Sequence, residues 1–119
     1  MDSILTTIKD MLGIAEEYAH FDATIIRHIN SAFMTLNQLG VGPTKCFKIT
    51  SDEQTWYDFL GESEDLETVV TYIYEKVKLN FDPPSSSFVL TAMKDQSKED
   101  EWRLNVQAEM EDINDGTET

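Results

Sequence analysis

Apolar positions recur along this chain at helical spacing, in stretches punctuated by glycine and proline. Ile4, Leu5, Ile8, Met11 and Leu12 follow the i, i+4, i+7, i+8 pattern of one buried face. They predict a short amphipathic helix from about Ser3 to Leu12, with Gly13 as its stop. Asp22 can then cap a longer helix whose stripe is Ile25, Ile26, Ile29, Ala32, Phe33, Leu36 and Leu39, ending at Gly40. That helix predicts a rod of roughly 25 Å.

The middle of the chain changes character. Val41-Gly42-Pro43-Thr44 is a turn. Phe47-Lys48-Ile49-Thr50 alternates briefly, which suggests a short extended segment near residues 46–50. No second strand is present in the sequence, so this piece must pair with another subunit or remain a loop. Ser51-Asp52-Glu53-Gln54 has the spacing of a capping box, with Gln54 three residues after Ser51. A short helix should follow through Trp56, Phe59 and Leu60 to Gly61, and Ser63 or Glu64 should open the next long one. Its stripe is Leu66, Val69, Val70, Ile73, Val77 and Phe81, widened by Tyr72 and Tyr74 into a second, half-buried face.

Phe81-Asp82-Pro83-Pro84-Ser85-Ser86-Ser87 interrupts the helical pattern. Consecutive prolines remove two backbone donors and push the preceding residues out of helical geometry, so the helix stops near Phe81 and the chain turns. The serines are good N-caps, and a new helix can begin at once. It opens with Phe88, Val89, Ala92 and Met93, then turns polar from Lys94 to Asp100 before Glu101-Trp102-Arg103-Leu104. It extends to about Ala108, with too few apolar residues in its outer half for a monomeric core, and disorder is expected from Asp112 to Thr119. The fold class is therefore all-α: a small bundle of about four to five helices in one domain, residues 1–108, followed by a flexible acidic tail, residues 109–119.

Charge narrows the function. The 119 residues hold 23 acidic and 9 basic side chains, a formal charge of −14, which excludes a general phosphate-backbone binder. Asp52, Glu53, Asp58, Glu62, Glu64, Asp65 and Glu67 lie in one stretch without a base, a pattern most simply read as a solvated face. A single cysteine, Cys46, excludes an internal disulfide and suggests a reducing compartment. No apolar run approaches the roughly 20 residues that span a bilayer, and the first residues lack the pattern of a signal peptide. The expectation is a protein made in a cytoplasm, without membrane association.

No residue pattern announces catalysis. His20 and His28, the only histidines, would stand about 12 Å apart on one helix, too far to share a metal. Cys46 has Lys45 and Lys48 nearby but no local histidine, so it reads as a structural cysteine. Gly40-Val41-Gly42-Pro43 follows a helix and carries a proline where a phosphate loop needs a glycine, so it reads as a helix stop. No catalytic, cofactor or metal residues are assigned. Trp102 and Arg103 are residue types enriched in interface hot spots; they either fold back on the chain or face a partner.

Certain residues carry a family likeness: Ile8-Lys9-Asp10-Met11-Leu12-Gly13-Ile14, His28-Ile29-Asn30-Ser31, Leu36-Asn37-Gln38-Leu39-Gly40-Val41-Gly42-Pro43, the proline corner, and Glu101-Trp102-Arg103-Leu104-Asn105. In that order they resemble the small helical head–tail connector (adaptor, or head-completion) proteins of long-tailed bacteriophages, from about Ile4 to Ala108. The resemblance implies a non-enzymatic virion protein at the head–tail interface, assembled from subunits made in the host cytoplasm. It implies a ring, commonly twelvefold, beneath the portal, which extends the channel for packaged DNA and docks the next neck or tail protein. Phe81, Asp82, Pro83, Pro84, Ser85, Ser86, Ser87, Trp102, Arg103 and Leu104 would then lie at or near subunit or portal contacts. Tyr72 and Tyr74 are further candidates, because a closed ring needs two different surfaces on each subunit. The acidic tail after Ala108 falls outside the resemblance. The competing reading, which charge alone favours, is an acidic DNA mimic or small inhibitor of a host protein.

Overall fold

The computed structural model describes residues 3–61 and 66–117, with the side chains of the last helix described as far as Met110. Five helices follow in order: α1 (Ile4–Met11), α2 (Asp22–Gln38), α3 (Trp56–Leu60), α4 (Leu66–Phe81) and α5 (Ser87–Thr117). The chain is an all-α bundle, as the periodicity predicts. The expected start at Ser63 or Glu64 lies outside the described residues, and α5 continues as backbone past the expected end near Ala108.

Helix α4 occupies the middle of the bundle, with α2 and α1 on one side and α5 on the other. Val69, Ile73 and Val77 of α4 close on Ile25, Ile29, Phe33 and Leu36 of α2 and on Ile4, Leu5 and Ile8 of α1. This is the main core. Phe33, Phe47 and Phe59 add a triangle of rings with centroids 4.6 to 5.3 Å apart, which seats the central loop on α2.

Local chemistry explains the helix ends. Ser3 caps α1 by accepting from the Thr6 N–H at 3.2 Å. Beyond α2, the Val41 N–H reaches the Leu36 carbonyl at 2.9 Å and the Gly40 N–H the Asn37 carbonyl at 3.1 Å. This pair of bonds requires the left-handed φ of +84° at Gly40. The same two bonds close α1 around Gly13.

Two expected caps are corrected. Asp22 is the first helical residue of α2, after a Phe21 that provides no side-chain cap. Its carboxylate instead pairs with Lys9, at 2.8 Å. The capping box of the short helix belongs to Thr55 and Asp58, whose side chains bond each other's backbone N–H groups at 3.3 and 2.9 Å. Gln54 does reach back, accepting from the Thr50 and Ser51 N–H groups at 3.1 Å, but it closes a turn before the helix.

The suggested extended segment is a loop held by α2. The Asn30 side chain accepts from the Ile49 N–H at 2.8 Å and donates to the Ile49 carbonyl at 2.9 Å. One amide thus supplies both bonds that a neighbouring strand would give. Asn37, a heptad further along α2, donates to the carbonyls of Pro43 and Thr44, both at 3.3 Å. These bonds hold the loop on α2 within the subunit.

Candidate assembly surface

The seam between α4 and α5 determines which residues face outward. On α5 the inward positions are Leu90, Met93, Ser97, Asp100, Leu104 and Ala108, spaced by three and four residues like a heptad seam. Its centre is polar: Ser97 and Asp100 are buried there, and so is Glu75 of α4. The charged stretch that hid this periodicity in the sequence contributes Ser97 and Asp100 to the seam, while its lysines and Glu99 are exposed.

Tyr72 lies fully inside, under α5, and its hydroxyl donates to the Glu101 carboxylate at 2.7 Å. Burial and the Glu101 charge push that hydroxyl well above the ordinary phenol range, so it stays protonated. The second face of α4 expected from Tyr72 and Tyr74 exists, but the chain's own last helix covers Tyr72; Tyr74 is half-buried. Leu104 is also buried, and Asn105 donates to the Leu39 carbonyl at the end of α2 at 3.3 Å.

The corner behaves as its composition dictates. Helix α4 ends at Phe81, α5 begins at Ser87, and Ser86 Oγ accepts from the Val89 N–H at 3.4 Å as an N-cap. Lys78 pairs with Asp82 at 2.8 Å across the last turn of α4. Asp82, Pro83, Ser85, Ser86 and Ser87 are exposed and Pro84 is half-buried. Phe81 turns inward, its ring 5.3 Å from Phe21 and 6.5 Å from His28. His20 packs on Phe21 at 4.8 Å, so the two histidines flank one aromatic cluster.

The largest exposed apolar side chains are on α5. Phe88 is 82% exposed and Trp102 66%. Fourteen residues separate them, placing them ~21 Å apart and within about 40° of one another around the helix. Arg103 beside Trp102 is exposed and held by Glu99 one turn back, at 2.6 Å. A shallow groove of 310 Å³ runs beside Trp102, lined by Thr68 of α4 and by Arg103, Leu104, Val106 and Gln107. The predicted residues thus divide: Asp82, Pro83, Ser85, Ser86, Ser87, Trp102 and Arg103 lie outside, Tyr74, Phe81 and Pro84 are half-buried, and Tyr72 and Leu104 lie inside. Phe88 is not among the predicted residues: the sequence pattern groups it with Met93 in the apolar opening of α5, and only the packing of α5 on α4 leaves it outside.

No group of three or more His, Cys, Asp or Glu residues is arranged to hold a metal ion among the described residues. Cys46 is half-buried, its thiol 3.8 Å from the Phe47 carbonyl.

A family model described as phage connector protein matches residues 4–111. The chain belongs to the phage connector protein family. As a phage connector it is a structural component of the phage neck, where head meets tail. The match covers the corner, the Trp102 segment and every helix core described above. No curated protein and no solved structure matches this connector significantly. No described helix of the connector is long and apolar enough to cross a membrane.

Proposed function

We propose that this connector acts as the adaptor subunit of a head–tail ring. The ring forms under the portal, commonly with twelve subunits, extends the exit channel for packaged DNA, and presents a platform for the next neck or tail protein. Residues 1–108 form the connector body and residues 109–119 an acidic extension. The subunit works without catalysis, in the virion, after assembly in the host cytoplasm.

The observation that carries this reading is the outward face of α5. Two large apolar side chains, Phe88 and Trp102, stand in solvent on one side of one helix, where they contribute nothing to the subunit's own core. A ring interface needs anchors of this kind, spaced along a rigid element. The proline corner sets the direction of that element, and the net charge of −14 suits a wall past which DNA slides without sequence-specific binding.

The test is native mass spectrometry and electron microscopy of the chain with and without its portal. A discrete ring on the portal is expected, weakened at least tenfold in apparent affinity by Phe88→Ala with Trp102→Ala. The same double variant should unfold within about 0.5 kcal/mol of wild type, because both side chains are exposed. A chain that never associates with the portal would sink the proposal.

A further inference from the structure

Most helix seams are apolar, yet the middle of the α4–α5 seam is not. Glu75 and Asp100 are each 5% exposed and Ser97 is 4% exposed. Among the described residues, Glu75 Oε1, Asp100 Oδ2 and Ser97 Oγ are buried oxygens without a hydrogen-bond partner. Asp100 Oδ1 is engaged, accepting from Gln96 at 3.1 Å. Two carboxylates packed against each other out of water are not stable as two anions. A proton between them removes one charge and gives the two orphaned carboxylate oxygens a partner.

We propose that Glu75 and Asp100 form a proton-operated latch between α4 and α5: closed while they share a proton, loosened when both carboxylates ionise. The surroundings leave the proton as the natural ligand. From α5, Glu101 faces this layer but is occupied by the Tyr72 hydroxyl and by Lys76, 3.7 Å away. From α2, the uncharged Thr35 lies beside the Tyr72 hydroxyl, and on α1 the buried Lys9 is committed to Asp22. Asp100 is the charge that Glu75 faces, and among the described residues no cation contributes to its shift.

Burial first, then the neighbouring Asp100 carboxyl, push the Glu75 carboxyl up to about 8. The folded chain therefore holds a proton that the unfolded chain has already released above the ordinary glutamate range. Stability is then highest in mild acid and falls as pH rises toward about 8, where the contribution is lost. The latch is a property of the isolated subunit. Its consequence for assembly rests on the adaptor reading, because α5 carries Phe88 and Trp102.

The isolated chain tests the latch without a portal. Urea unfolding of wild type from about pH 5 to 9 should show the unfolding constant rising by up to about tenfold per pH unit. Glu75→Gln keeps a donor for Asp100 without the charge; its profile should be flat in that window, and it should exceed wild type in stability at the alkaline end. If Glu75→Gln fails to fold, Asp100→Asn removes the Asp100 share while burial remains, so its pH midpoint should shift down from that of wild type. Amide exchange, corrected for intrinsic rates, should show protection lost in α5 before α2. Carbon NMR of the wild type reports the Glu75 carboxyl directly. A midpoint in the ordinary glutamate range, a pH-independent wild type, or an unchanged slope in both variants would overturn the proposal. So would calcium or magnesium binding that needs both carboxylates, which would make the seam a cation site.

Discussion

Lys9 reaches from α1 to the start of α2 and holds Asp22 at 2.8 Å, although its own side chain is only 2% exposed. Its ammonium also donates to the carbonyls of Glu16 at 2.9 Å and Tyr18 at 2.8 Å. Two carbonyls and the paired carboxylate thus surround the ammonium, and the loop between the helices is tied to one buried cation. This is why Asp22 leaves α2 without an acidic cap: its carboxylate neutralises Lys9.

Removing that cation leaves a carboxylate and two carbonyls facing each other. Lys9→Met should destabilise the chain by about 3 kcal/mol. The melting temperature should fall by roughly 10 °C. Adding Asp22→Leu should restore part of the loss, since the stranded charge is then gone. A thermal scan showing less than about 1 kcal/mol for Lys9→Met would contradict this account.

The asparagines of α2 are ranked by what they cover. Asn30 satisfies both backbone groups of Ile49, whose side chain is buried, whereas Asn37 bonds exposed turn carbonyls. Asn30→Ala should therefore cost about 2 kcal/mol in urea unfolding and Asn37→Ala less than about 1. Equal losses would show that the Ile49 clasp is not special.

Gly42 combines two constraints. Its φ is +89°, and a Cβ built there would come within 2.5 Å of the Phe59 ring. Gly42→Ala should cost roughly 3 kcal/mol, from left-handed strain together with overpacking against the aromatic triangle. Shortening the ring, with Phe59→Leu, should relieve only the packing share, so the double variant should lose less than the sum of the two single changes.

The helices and the corner could be read because their causes are local. Apolar spacing, glycine stops and the consecutive prolines act on neighbours in sequence, and α4 spans Leu66–Phe81 as its stripe predicts. Capping was less legible. Ser51/Gln54 and Thr55/Asp58 have the same spacing, and the choice between them depends on where the chain is held. It is held at Thr55, which bridges Ser3, while the Ile4 N–H bonds the Gln54 carbonyl at 3.0 Å.

The sequence by itself determined an acidic all-α chain with a stiff corner and a family likeness that the comparison bears out. Tertiary structure alone decided which polar residues are interior. Lys9, Asn30, Glu75 and Asp100 look like surface residues in a hydropathy pattern, because pattern reading assigns every polar group to water. Each is buried or half-buried because a partner distant in sequence completes its hydrogen bonds, or because a proton is shared. The same packing turned Tyr72 and Leu104 inward and left Phe88 and Trp102 outside.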